Sequence, residues 1–150
     1  MARTSSPIPF RLWIIALLAL APFPAAAALY AFGPSGMTAS ALMLLFTYSA
    51  TVQAFLGGVR WGLESAREHP RGERLALSVL GPIIAWMLVF TSGLVPTAWA
   101  LGGLIATFLL QWLFDEHAPD VASKYPSLGT VVALGACVSL AVALERALRL

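Results

Sequence analysis

The sequence predicts an all-α fold: a polytopic membrane helix bundle of about five transmembrane helices, with the N-terminus inside and the C-terminus outside. Three observations predict it. Of the 150 residues, 59% are hydrophobic and 11% are charged, and the mean hydropathy is +0.84. A soluble domain of this size is about 25% charged, so the chain has too little polar surface to cover a water-facing globule. Its apolar residues fall into five stretches of about 20 residues, enough at 1.5 Å per residue to cross roughly 30 Å of hydrocarbon. Those stretches also lack the apolar–polar alternation of barrel strands.

The first stretch lies near 12–32. Arg3 and Arg11 precede its apolar core, and P-F-P-A-A-A-A follows at 22–28. This arrangement resembles a signal peptide with small residues at a cleavage site. Apolar character continues through Leu29, Tyr30 and Phe32, which favours a retained helix kinked or broken at Pro22 and Pro24. The turn G-P-S-G at 33–36 separates it from a second helix near 39–63. The charged run E-S-A-R-E-H-P-R-G-E-R at 64–74 leads to a third near 75–94, and V-P-T at 95–97 to a fourth near 98–114. After D-E-H-A-P-D at 115–120, a fifth is expected near 128–148. Together these form one helical domain over residues 1–150.

Orientation follows from the basic residues in short loops. With the N-terminus inside, that side carries Arg3, Arg11, Arg60, Arg67, Arg71, Arg74 and Lys124, whereas the other side carries only Arg146 and Arg149. Most of the acids also fall inside, so the inner face is mixed in charge rather than a plain site for anionic lipid. No basic run points to nucleic acid. Membrane lipids are the expected partners, and the expected location is multi-pass, in the bacterial inner membrane. The single cysteine, Cys137, sits in an apolar stretch, cannot form an internal disulfide, and reads as a small core residue.

The stretch S-A-T-V-Q-A-F-L-G-G-V-R-W-G-L-E at 49–64 holds the densest chemistry. At about 100° per residue, Ala50, Ala54, Gly58 and Gly62 form one small-residue stripe along the second helix. Such a stripe lets a second helix approach closely in lipid. It is read as internal packing, with a homodimer seam as the alternative. Gln53, Gly57, Arg60 and Glu64 fall on the neighbouring face. Arg60 can reach the membrane interface while its stem stays buried. Glu64, four residues on, can pair with it. Trp61 is placed as an interfacial anchor. Gln53 lies about two turns deeper, where a polar side chain must face other helices. Trp86 is expected near mid-membrane, its indole N–H in need of a partner that Gln53 could supply. The candidate polar site is therefore Gln53, Arg60, Glu64 and Trp86.

The segment F-L-G-G-V-R-W-G at 55–62, preceded by Tyr48-Ser49-Ala50, resembles an uncharacterised family of small integral membrane proteins that includes transmembrane protein 69 and many bacterial members. Supporting likeness comes from A-P-F at 21–23 and from an apolar third helix with Pro82 and Trp86. The resemblance covers most of the chain, but only 55–62 is specific. Family members tend to carry an aromatic residue and an arginine before the last helix. Here Lys124 and Tyr125 occupy that region, and no role is carried onto them. The resemblance implies a membrane fold and supplies no chemistry.

Elsewhere, Gly81-Pro82 in the third helix predicts a kink, and Gly135, Ser139 and Ala143 form a second close-packing stripe. Glu145 and Arg149 are spaced to pair. The acids and imidazoles Glu68, His69, Asp115, Glu116 and His117 share the inner side, but they are adjacent loop residues without metal-ligand spacing and read as solvated charges. There is no nucleophile elbow, P-loop or dinucleotide fingerprint, no histidine lies within a span, and no catalytic residue, metal or cofactor is assigned. The expected function is a structural, lipid-binding or assembly role in a bilayer. The alternatives are a small transporter or channel, or a membrane-embedded enzyme acting on a lipid or quinone through the Gln53/Arg60/Glu64 face.

Overall fold

The computed structural model describes residues 10–116 and 126–150, without the side chains of 115, 116 and 126–128. Among these residues the chain is all helical. Helices α1 (Phe10–Leu20) and α2 (Pro22–Phe32) are followed by a 3-10 turn at Ser35–Met37, then by α3 (Thr38–Ser65), α4 (Gly72–Thr91), α5 (Thr97–Glu116) and α6 (Pro126–Arg149). Five segments are long and apolar enough to cross a membrane: α1 with α2, then α3, α4, α5 and α6.

The break between α1 and α2 is local chemistry. Pro22 and Pro24 have no N–H, so the carbonyls four residues before them lose their helical donors. Ala21 still donates to Leu17, and Ala25 to Ala21, so the two short helices continue as one span. The Tyr48 hydroxyl, from α3, donates to the Ala19 carbonyl beside the break. A side chain of the next helix thus reaches a backbone carbonyl of the first span beside the break.

The spans form a closed ring. Each packs on its neighbour in sequence, and α6 returns to pack on α1 and α2. Near one end, Trp112 Nε1 of α5 donates to Thr130 Oγ1 of α6 at 3.1 Å. Phe23 is wholly buried at the centre of the ring and meets Tyr48 and Phe108 edge-on, with ring centroids 5.1 and 5.9 Å apart. Much of the remaining interior is small: Ala26, Ala27, Ala41, Ala85, Ala100, Ala133, Ala136 and Ala143 are all buried. Large apolar side chains instead face outward, including Ile15, Leu18, Met43, Phe55, Trp86, Phe90 and Val138. A water-soluble bundle buries such residues and rarely leaves so broad an apolar surface. Small residues inside and large ones outside is the packing expected where lipid surrounds the helices.

Two sequence expectations need correction. Of the Ala50, Ala54, Gly58 and Gly62 stripe, only Ala50 packs against the core. Ala54, Gly58 and Gly62 are exposed, and a Cβ added at Gly58 or Gly62 would meet nothing within 4 Å. The close approach is made one residue away, at Gly57. Trp86 also points outward, 62% exposed and stacked on Phe90. It sits on the outer side of α4 and does not serve Gln53. Cys137 is partly buried. In the second stripe, Gly135 packs against Leu20, while Ser139 and Ala143 are buried.

Candidate functional site

Gln53, Gly57, Arg60 and Glu64 follow one another at steps of four, three and four residues, so they share one face of α3. That face turns into the ring. Gln53, Gly57 and Glu64 are buried and Arg60 is half-buried. The structure brings Gln53, Arg60 and Glu64 together with α4 and α5, and leaves Trp86 out of the group.

At the loop end, Glu64 is 2% exposed. Its Oε1 accepts the backbone N–H of Arg71 at 2.9 Å. Arg71 is the N-cap of α4 and has no side-chain cap of its own, so a carboxylate from α3 serves the start of the next helix. An anion there is favoured by the unpaired N–H groups and by the helix dipole. Arg67 Nε lies 3.8 Å from Glu64 Oε2, a charge contact on the same carboxylate. Arg67 and Arg71 thus fold the loop back onto one buried acid, while Glu68 and His69 are exposed.

One turn deeper, Arg60 Nη2 donates to the backbone carbonyl of Gln111 at 2.9 Å. This ties α3 to α5, two helices that otherwise touch little. Trp61, next to Arg60, is 47% exposed.

Two turns deeper again, three helices meet. Gln53 is fully buried, and its Oε1 and Nε2 have no hydrogen-bond partner among the described residues. Gln111 is 7% exposed and its Oε1 is likewise without a partner. Both amide oxygens lie 3.4 Å from the point a Cβ on Gly81 would occupy, so they flank one spot on α4. A buried amide left without a partner costs about 1–3 kcal/mol, which makes this the most polar-frustrated place described in the ring.

Beside it, the α3–α4 contact has a specific cause. Pro82 lies within α4 and cannot donate to the carbonyl of Ser78, four residues earlier. That carbonyl faces Gly57. A Cβ on Gly57 would stand 2.4 Å from it and 2.6 Å from Pro82 Cγ, closer than atoms can pack. Gly57 thus admits both the freed carbonyl and the proline ring. Helix α4 continues through Pro82.

Residues 8–145 match the family described as "Protein of unknown function (DUF3429)". The chain belongs to that family. No curated protein and no solved structure gives a match to the chain. For this DUF3429 chain the site therefore rests on its own geometry. Sequence reasoning missed three of the residues that build it. Gly81 is read only as part of a kink, and Gln111 and Ser78 are given no role. One signal could have found Gln111: it and Gln53 are the only glutamines in the chain, and deeply placed amides are expected to meet.

Other features stand apart from this face. An apolar groove of about 260 Å³ lies between α2 and α3, lined by Pro22, Ala25, Ala26, Leu29, Leu44 and Tyr48. Glu145 and Arg149 pair on the exposed end of α6. Among the described residues no three His, Cys, Asp or Glu side chains lie close enough to hold a metal ion. His117, Lys124, Tyr125 and Arg3, and the side chains of Asp115 and Glu116, lie outside the described residues.

Proposed function

We propose that this DUF3429 protein is a multi-pass integral membrane protein with a structural or assembly role, in contact with bilayer lipids over its outer surface and with its N-terminus inside. One observation carries the reading. The inward-facing charged side chains of α3 hold neighbouring helices by their backbones: Arg60 takes the Gln111 carbonyl, and Glu64 takes the Arg71 N–H. A group used in this way serves the packing of the helices. Outside the bundle, the large apolar side chains suit lipid rather than water.

The test is native mass spectrometry of the protein released from its own membrane in mild detergent. The expected spectrum shows protein carrying heterogeneous bulk lipid and no stoichiometric small molecule. One reproducible bound molecule, lost in Arg60→Ala, would replace this reading with a transporter or an enzyme acting at the Gln53/Arg60/Glu64 face.

A further inference from the structure

We propose that Gln53 and Gln111 hold a water molecule between α3, α4 and α5, beside Gly81, and that this water joins the three helices. The site does not depend on the structural role assigned to Arg60 and Glu64.

The first support is a contrast. Every buried serine and threonine described in the spans is satisfied within its own helix. Ser49 donates to Leu45, Ser78 to Leu75, Thr107 to Gly103 and Ser139 to Gly135. A short hydroxyl can fold back onto the preceding turn in this way. A glutamine amide is longer and has two donors and two acceptors, so it must find partners across the helix interface. Gln53 and Gln111 are more than nine-tenths buried, and Gln53 Oε1, Gln53 Nε2 and Gln111 Oε1 reach no protein group among the described residues.

The second support is geometry. Two carbonyl-type oxygens approach Gly81, one from α3 and one from α5, each 3.4 Å from the point its Cβ would occupy. Neither oxygen can donate to the other. Water supplies two O–H donors and can bridge two such acceptors, and buried waters are held by two to four polar partners. The occupant must be small, because Gln53 has no exposed surface. It must be neutral or weakly polar, because the Arg60 guanidinium already bonds the backbone of Gln111 and disfavours a second cation. Gly81 belongs to the same device. Glycine is a poor helix former, and its place in the middle of α4 keeps side-chain atoms out of the gap.

The competing arrangement has one amide turned over, so that its NH₂ bonds the other oxygen directly. Water-edited solid-state NMR on ¹⁵N-labelled protein in liposomes separates the two. The chain has no asparagine, and its glutamines are Gln53 and Gln111 alone, so the side-chain amide region contains only the groups of interest. The expected result is transfer from water to the side-chain NH₂ of Gln53 and of Gln111, at mixing times that leave the backbone amides of Leu101 and Leu104 dark. That transfer should be lost in Gly81→Leu, whose side chain fills the gap. Absence of transfer in the wild-type protein, or a direct Gln53–Gln111 contact without water transfer, would overturn the proposal. The wild-type spectrum decides by itself if Gly81→Leu does not assemble.

Discussion

Adding one methyl group at Gly57 should loosen the α3–α4 contact. In Gly57→Ala the new Cβ would stand 2.4 Å from the Ser78 carbonyl oxygen and 2.6 Å from Pro82 Cγ. Neither atom can swing aside, since one is backbone and the other a fixed ring. To reach ordinary contact at 3.4 Å, the helices must part by about 1 Å. A gap of that size forfeits about a quarter to a half of each contact's dispersion well. Overpacking of this kind costs about 1–3 kcal/mol, against the roughly 1 kcal/mol that Gly→Ala returns in helix propensity, so the net loss reaches up to about 2 kcal/mol. The controls are Gly58→Ala and Gly62→Ala, where a Cβ meets nothing within 4 Å and stability should hold or rise. Gly103→Ala should be milder than Gly57→Ala, because its Cβ meets only the movable end of Leu88. Pro82→Ala should partly rescue Gly57→Ala, since it removes the ring and restores an N–H for the Ser78 carbonyl. The assay is reversible unfolding of the purified protein in mixed micelles of increasing SDS fraction. A Gly57→Ala protein as stable as wild type, with Gly58→Ala the destabilised one, would refute the reasoning.

Three further outcomes follow from other contacts. Tyr48→Phe removes the hydroxyl that serves the Ala19 carbonyl at the α1–α2 break; a loss of about 0.5–1.5 kcal/mol is expected in the same unfolding assay. Trp112→Phe removes the Nε1–H donated to Thr130 and should cost about 1 kcal/mol, with faster hydrogen exchange at the start of α6. For orientation, Cys137 is replaced by alanine and single cysteines are introduced as Ser35→Cys or His69→Cys. An impermeant maleimide added to intact cells should label Ser35→Cys and spare His69→Cys, and the reverse pattern would contradict the N-inside topology.

The number and order of spans were legible because length and hydropathy decide them. Their ends moved by only a few residues. The third helix starts at Gly72 rather than near 75, because a polar first turn is helical all the same and the Glu64 carboxylate receives the Arg71 N–H just before it. Which face of each helix turns inward was less legible. These spans are apolar on every side, so the usual amphipathic signal is weak. The small-residue rule pointed to Ala54, Gly58 and Gly62, yet the ring chose Gly57, one residue away. What decided was on another helix: Pro82 frees a carbonyl that only a glycine can face at that distance. Trp86 shows the same limit from the opposite side. Its indole suggested an inward partner, but in a bundle filled with alanine a tryptophan is better accommodated outside. The polar line from Gln53 through Arg60 to Glu64 could be read from spacing alone. Its opposite half, Gln111 and Gly81, comes from helices whose packing order the sequence does not state.

The account rests most on the claim that Arg60 and Glu64 hold the ring together. The most direct measurement is the unfolding free energy of Arg60→Ala and of Glu64→Ala in bilayer-mimetic micelles. Each variant should lose about 1–3 kcal/mol, because each leaves a backbone group of a neighbouring helix without its partner. Variants as stable as wild type, or more so, would contradict the claim: that is the behaviour of residues kept for a ligand at the expense of the fold.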